Sequence, residues 1–190
     1  MICHYVYSEP VASTKVRALD AAIELLGTEG LRALTHVRVD RRAGLPKGST
    51  SNYFRTRAAL LTGVVDRILE RELPLVGATF TPTSADDLVE ALCGLFAYLT
   101  GPNRVQTTAR LVLFVEGSHD AGLREALTRG RAAMEATAVT ALAGLGAHDP
   151  RAAGAAIAAC SEGLLLHNIA RDDDADPRPT FDLVVRAALA

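Results

Sequence analysis

Residues 41–54 read RRAGLPKGSTSNYF: a basic pair, a glycine and a proline, then a short polar run that ends in two aromatic residues. The run is too polar for a core helix, and its flanks are too structured for a flexible linker. Thr35 can cap a short helix that Gly44 ends, because glycine tolerates positive φ, and Pro46 suits the first position of the next helix. The stretch therefore predicts two short helices joined by a glycine turn, at about residues 35–54.

Helical spacing of apolar residues continues on both sides of this pair. Upstream, residues 14–27 place apolar side chains on one face behind Ser13 or Thr14, either of which can cap the helix. Thr56 can cap a fourth helix that Pro74 ends. Later helices are predicted from Ser84 to about Thr100, around the run RLVLFVEG, from about Ala121 to Leu145, from Asp149 to about Arg171, and after a cap at Thr180. No alternating strand pattern interrupts them, so the predicted fold class is all-α.

Charge is distributed unevenly along the chain. The net charge of -2 combines net +3 over residues 1–72 with net -5 over the remainder, and residues 30–60 alone carry net +6. A basic cluster by itself is typical of a solvated surface. Binding of a polyanion therefore needs the further support of a segment that could read it.

The composition is that of a globular protein: 190 residues, 49% hydrophobic and 22% charged. The three cysteines are far apart and odd in number, so they indicate neither a disulfide framework nor a zinc site. With no basic leader and no uncharged apolar run of membrane-span length, we expect a cytoplasmic protein without a membrane segment. The sequence contains no phosphate-cradling glycine loop, nucleophile elbow or di-iron motif, so we expect no enzymatic activity, metal or other cofactor.

The polar run has the composition of a helix face that enters the major groove of DNA. Short donors and acceptors let a backbone come close to base edges, and the run supplies Gly48, Ser49, Thr50, Ser51 and Asn52. Lys47 adds charge beside a helix start whose free amides favour phosphate, and Tyr53 can donate its hydroxyl to phosphate. Phe54 is expected to turn inward. The pattern predicts a helix-turn-helix whose second helix reads the groove.

The segment GLPKGSTSNYFRTRAAL, residues 44–60, resembles the signature of TetR-type transcriptional repressors, and TKVRALDAAIELLGTEGLRALT resembles the family's first helix and glycine corner. The resemblance covers about residues 14–72. It implies base or adjacent backbone contacts from residues 49–52. It implies phosphate contacts from Thr35, His36, Lys47, Tyr53 and Arg57.

Two positions depart from the family's pattern. Asp40 stands where the family usually has a small alanine under the third helix, so either that contact is rearranged or the carboxylate pairs with a neighbouring arginine. Ser51 stands where the family often has tyrosine. The base-reading surface is therefore smaller, and the operator sequence does not follow by analogy.

The resemblance also implies an organisation for the whole chain. It predicts a flexible tail at residues 1–13, a DNA-binding domain at 14–72, and a helical effector-binding and dimerisation domain at 73–190. Such repressors are homodimers that read palindromic double-stranded DNA, and a small-molecule effector releases them by moving the fourth helix. The alternative is a helical DNA-binding or protein-interaction module without an effector. An enclosed cavity with a few polar groups would favour the sensor, and a filled core would favour the alternative.

Eight residues of the C-terminal half are candidates for lining an effector pocket: Phe96, Leu113, Phe114 and Leu166 as apolar walls, and Glu116, His119, His167 and Asn168 as polar anchors. An apolar helical stripe is more often core, and a histidine near a helix end is more often a cap or surface group. Residues 132–160 hold 13 alanines and 3 glycines, which either reflects helix propensity or allows tight helix pairing across a dimer interface. The acidic residues 172–176 indicate a solvated loop, with a divalent-cation site as the alternative.

Overall fold

The computed structural model describes residues 12–79 and 81–190, which contain helices and no strand. A 3-10 turn, Leu31–Ala33, separates the first two helices. The helices are α1 (Thr14–Glu29), α2 (His36–Arg42), α3 (Ser49–Tyr53), α4 (Arg57–Thr79), α5 (Ala85–Thr100), α6 (Arg104–Glu116), α7 (Ala121–Gly144), α8 (Pro150–Arg171) and α9 (Arg178–Leu189). The predicted all-α class is confirmed, while the predicted tail lies outside the described residues except for positions 12 and 13.

Side-chain caps begin several helices where the sequence predicts them. Ser13, Thr35 and Ser84 each accept a hydrogen bond from the backbone N–H three residues later. Asp149 does the same at the start of α8. These bonds satisfy donors that the first turn of a helix leaves open, so they fix where each helix starts.

Three predicted boundaries are wrong. The third helix begins at Ser49 rather than Pro46, because Gly48 takes a left-handed φ of 92° that no helical turn contains. Pro74 lies inside α4, where it removes one hydrogen bond without ending the helix. The last helix begins at Arg178, ahead of the predicted cap at Thr180.

The apolar side chains form two cores. The first joins α1, α2 and α4 to residues of the C-terminal half such as Leu113 of α6 and Leu123 of α7. The second joins α5, α7, α8 and α9, and contains an edge-to-face pair of Phe96 and Phe181 whose ring centroids are 6.4 Å apart. Since α6 and α7 contribute side chains to the first core, a displacement of either helix would shift the packing of α1, α2 and α4.

Helix α8 is unusual in its apolar surface. Among the described residues it alone has the length and composition that a membrane span requires, a criterion that core helices of soluble proteins also meet. It packs against α5, α7 and α9. A Cβ added to Gly154 of α8 would lie 3.6 Å from Leu142 of α7, so the small residues here let two helices of one chain pack closely. Pairing of this stretch across a dimer stays a prediction.

Candidate nucleic-acid interface and internal cavity

A buried carboxylate joins α2 to α3. Asp40 is 3% exposed and accepts hydrogen bonds from the N–H of Gly48 at 2.8 Å, and from the N–H and hydroxyl of Thr50 at 2.8 and 2.5 Å. Burial acts to raise the pKa of Asp40, but the bonds from Thr50 and Gly48 and the nearby His36 outweigh it and hold that pKa below its usual range. We call these three bonds the Asp40 clamp. The clamp caps α3 from the neighbouring helix.

The Asp40 clamp decides between the two alternatives for Asp40 and corrects two other interpretations of the sequence. Asp40 rearranges the contact under α3 and forms no ion pair with an arginine in the described part of the chain. Thr50 is fully buried, so its side chain faces Asp40 and not the DNA bases. The start of α3 has few free amides for phosphate, because Gly48 and Thr50 donate to Asp40 and Ser49 donates to the carbonyl of Pro46.

The other side chains of α3 leave a small polar face. Asn52 and Tyr53 are exposed, Tyr53 by 51%. The hydroxyls of Ser49 and Ser51 each donate to the carbonyl three residues earlier, at 2.7 and 2.9 Å, and keep their lone pairs as acceptors. Phe54 is buried, as predicted. The outward face therefore consists of short polar groups and one aromatic hydroxyl.

The basic charge around this face is partly compensated by α1. Arg38 and Arg42 both pair with Glu29, Arg42 at 2.7 Å, and Arg42 also lies 3.6 Å from Glu24, so two carboxylates of α1 offset two of the predicted positive charges. The remaining five cations of residues 30–60 are exposed and form no ion pair with another described residue: Arg32, Arg41, Lys47, Arg55 and Arg57. The positive charge available to a polyanion is therefore smaller than the number of cationic residues in the sequence suggests. The cations that provide it lie around α2 and α3.

Three residues predicted to contact phosphate also hold the DNA-binding helices together. Thr35 caps α2 from an exposed position. His36 Nε2 lies 2.6 Å from the carbonyl oxygen of Phe54, the residue that follows α3, so this nitrogen carries the proton it donates. Arg57 donates to the carbonyls of Leu34 at 2.5 Å and Leu31 at 2.7 Å while its side chain stays exposed. These bonds fix α2 relative to α3 and α4.

A cavity of about 650 Å³ lies between α4, α5, α6, α7 and α8. Most of its wall is apolar and includes Leu69, Leu95, Phe114, Met134 and Leu165. Its charged lining residues are Glu72, Arg110, Arg124, Arg131, Glu135 and Glu162. The volume and the mostly apolar wall are those of a small-molecule site.

Two of the eight predicted pocket residues, Leu113 and Phe114, line this cavity. The cavity wall at the end of α6 is formed by Gly117 and Ser118, and on α8 by Leu165. Neighbouring residues on a helix point in different directions, so the adjacent candidates face elsewhere. The six that do not line it are Phe96, Glu116, His119, Leu166, His167 and Asn168.

Two of these six have structural partners of their own. Phe96 packs on Phe181 in the second core. Asn168 is buried, accepts from Arg104 at 2.9 Å, and donates to the carbonyl of Asp173 at 2.9 Å. Its polar group is therefore satisfied without a ligand. The acidic loop that contains Asp173 is exposed, and no group of three or more potential metal ligands occurs within the described ranges.

The sequence reading missed the buried polar groups of the cavity. Glu72 is 5% exposed; its Oε1 accepts from Gln106 at 3.3 Å, and its Oε2 lies 3.6 Å from Nε of Arg110. The pKa of Glu72 is raised, because burial outweighs the opposite effects of the Arg110 charge and the hydrogen bond from Gln106. Gln106 accepts from Arg71 at 3.2 Å, and Arg71 pairs with Asp20 of α1 at 2.7 Å. We call this series, from Glu72 to Asp20, the Glu72–Asp20 chain; it connects the cavity to α1.

Two family descriptions match the chain: "Bacterial regulatory proteins, tetR family" over residues 18–64 and "Tetracyclin repressor-like, C-terminal domain" over residues 83–190. No curated protein matches it. A transcriptional regulator from Rhodococcus sp. Rha1 superposes with a TM-score of 0.81 at 17% identity, over 93% of this chain and 96% of that one. Salmonella enterica GusR gives 0.73 at 18% identity over 96% and 98%. The multidrug binding protein EbrR, complexed with ethidium, gives 0.77 at 21% identity over 94% and 99%. At identities of 17–21%, these superpositions show that this chain has the same fold as the three proteins and show nothing more about it.

Proposed function

Since the chain belongs to the TetR family of DNA-binding transcriptional regulators, we propose that it works as a homodimeric repressor that a small molecule releases from a palindromic operator. The observation that carries this proposal is the exposed polar face of α3, held by the Asp40 clamp and surrounded by exposed cations. Short donors and acceptors suit base edges, and the cations suit phosphates. The protein would act in the cytoplasm, where the DNA lies.

The structure refines the set of DNA contacts that we propose. Ser49, Ser51 and Asn52 face base edges or the adjacent backbone, and Thr50 holds them in place from inside. Contacts with phosphate and sugar set the register of a protein on the duplex, whereas base-edge contacts select the sequence. The phosphate contacts come from Thr35, His36, Lys47, Tyr53 and Arg57. Gly48, whose N–H donates to Asp40, lets the backbone approach the DNA closely.

Lys47→Ala and Tyr53→Ala should each weaken operator affinity roughly tenfold per lost contact, since a charge-assisted hydrogen bond is worth about 1.5 kcal/mol. Both side chains are exposed, so folding should change little. Gel shifts at several salt concentrations would measure the effect, and Lys47→Ala should also lower the salt slope by about 0.9 per copy. Arg151→Ala, which removes an exposed cation from α8, is the control. Unchanged affinity in either variant would remove that residue from the interface.

A dimer is proposed from the apolar surface of α8 and α9. Leu166 on α8 is 46% exposed and Leu183 on α9 is 73% exposed, although the two helices pack against each other. Large exposed apolar side chains on adjacent elements are typical of an interface. A two-fold dimer would present its α3 helices to successive major grooves about 34 Å apart.

Leu166→Glu combined with Leu183→Glu should convert the dimer to a monomer, because each places a charge in a surface that loses water on association. Light scattering after size-exclusion chromatography gives the mass directly. Val37→Glu is the matched control, since Val37 is 54% exposed but lies on α2. If the double variant keeps the dimer mass, another surface forms the interface.

Release by a small molecule is supported by the cavity and by the Glu72–Asp20 chain that leads from it to α1. EbrR, which has the same fold, is complexed with ethidium. A module without an effector would be expected to have a filled core, so the cavity favours the sensor. To shift a population from 1:99 to 99:1, the effector must prefer the released conformation by about 5.5 kcal/mol.

Selection of bound fragments from genomic or random DNA by the purified protein tests the proposal. We expect enrichment of inverted repeats whose half-sites are separated by about one helical turn. Enriched fragments would then serve as probes for effectors that abolish the gel shift. No enrichment over input at low salt would contradict the assignment of α3, and single half-sites would contradict the dimer.

A further inference from the structure

We propose that the cavity takes an organic cation with a large apolar body, attracted by Glu72, Glu135 and Glu162. This inference rests on the proposed effector-controlled regulation and names the class of effector. The apolar wall accounts for the body of such a molecule, because most of the lining consists of leucine, isoleucine, alanine and other carbon surface. The charge of the ligand is inferred from the six ionisable residues that line the cavity.

The three arginines of the lining contribute little positive potential inside the cavity. Arg124 and Arg131 are exposed, so water and salt screen their charges, and Arg124 also donates to the carbonyl of Gly117 at 3.2 Å. Arg110 is only partly exposed, but it lies 3.6 Å from Glu72. This partly buried positive charge is thus already opposed by the buried negative charge of Glu72.

The glutamates are less compensated. Glu135 of α7 and Glu162 of α8 are each half-buried and form no ion pair with any described residue. Because Gly154 faces Ala138 and Leu142, the antiparallel register of α7 and α8 brings residue 158 level with Glu135, and Glu162 about one turn further. Both carboxylates therefore belong to one stretch of wall. With Glu72, they give the lining two negative charges in excess of Arg110 when the two exposed arginines are left aside.

Glu72 is the buried carboxylate of the cavity, and its second oxygen has room for a further partner. Its side chain is 7% exposed, and its Oε2 accepts no hydrogen bond within the described part of the chain, where the nearest cationic atom is Arg110 Nε at 3.6 Å. A carboxylate buried with an incomplete set of partners favours a cation nearby. Phe114, whose ring lines the cavity, adds an aromatic face to which an organic cation is attracted.

An anionic ligand is the rival that the arginines suggest. An anion would have to bind at Arg110, the one arginine of the lining that is not exposed. The Nε atom of Arg110 is buried without a hydrogen-bond partner among the described residues, but it lies 3.6 Å from Glu72 Oε2, so an anion placed there would also lie against the carboxylate. Repulsion from Glu72, Glu135 and Glu162 would oppose it. The cation is therefore favoured by both position and charge.

Tetraphenylphosphonium and tetraphenylborate test the sign of the charge, because they have nearly the same size and shape and opposite charges. Titration calorimetry on the full-length protein should give at least about tenfold tighter binding of the phosphonium. The ratio of the two affinities should fall by about tenfold in Glu135→Gln/Glu162→Gln and in Glu72→Gln. Glu125→Gln, which removes a charge from an exposed pair on α7 outside the cavity, should leave it unchanged.

Equal or tighter binding of the borate, no binding of either ion, or a ratio that survives both glutamine variants would overturn the inference. The two glutamine variants are independent, so misfolding of Glu72→Gln, checked by circular dichroism, leaves the wall variant to decide. Adding the phosphonium to the gel shift separates this inference from the proposed function. Preferential binding without release of DNA would uphold the cation site and contradict its role as an effector site.

Discussion

Asp40→Ala should abolish operator binding and lower the free energy of unfolding by about 3 kcal/mol. The substitution removes the acceptor for three hydrogen bonds and leaves the N–H groups of Gly48 and Thr50 without it. Loss of a helix cap costs about 1 kcal/mol, and each buried donor left unsatisfied costs about 1–3 kcal/mol. A helix as short as α3 has little stability of its own, so its outward face should lose its fixed geometry.

Urea denaturation and fluorescence anisotropy with a labelled operator measure the two effects. Thr50→Val is the graded control: it deletes one of the three bonds, and about 1 kcal/mol of destabilisation is expected. The pKa of Asp40 lies below its ordinary value of 3.8, so the clamp contributes fully above that pH and loses its effect as the pH falls through the lower folded value. Asp40→Asn should lack this part of the acid sensitivity. Tight DNA binding by Asp40→Ala would show that α3 is held by something else.

Gly27→Ala should force α6 away from α1. A Cβ on Gly27 would lie 2.1 Å from the carbonyl oxygen of Val105 and 2.7 Å from Val105 Cγ1, and no side-chain rotation relieves a clash between a Cβ and a backbone oxygen. Overpacking of this kind costs about 1–3 kcal/mol. Because α6 also carries Gln106 and Arg110, the displacement should break the Glu72–Asp20 chain and weaken the dependence of DNA binding on effector.

Gly94→Ala is the matched control for this variant. Gly94 also lies within a helix, α5, but no atom lies within 4 Å of an added Cβ. Alanine should therefore stabilise the protein there by up to about 1 kcal/mol through helix propensity. Thermal unfolding of both variants gives the comparison. If Gly27→Ala were as stable as Gly94→Ala, the contact between α1 and α6 would have to be looser than described.

The DNA-binding half could be read from the sequence because its signals are local. The caps at Ser13 and Thr35 and the glycine turn involve residues within a few positions of one another, and the TetR resemblance rests on one contiguous segment. The role of Asp40 could not be read this way. Its partners lie eight and ten residues further on, and only the fold brings them together.

The cavity was harder to predict for the same reason. Leu113 and Phe114 were found because an apolar helical stripe indicates some buried surface, but five helices determine which part of that surface is hollow. Glu72 did carry a signal, since it continues the buried face of α4 four residues after Ile68. An acidic residue at a helix position that faces the core is a candidate for function, but Glu72 was not among the residues predicted from the sequence. Gln106 offered no comparable sign.

The Asp40 clamp separates the side chains that keep α3 folded from those that select a target. Thr50 and Asp40 form the inner set, while Ser49, Ser51 and Asn52 can be exchanged without disturbing any buried bond. Drift among duplicated genes could therefore change the preferred promoter through a few outward positions at constant thermal stability. For the same reason, a small combinatorial library at those positions is a direct way to redirect this regulator to a chosen DNA sequence.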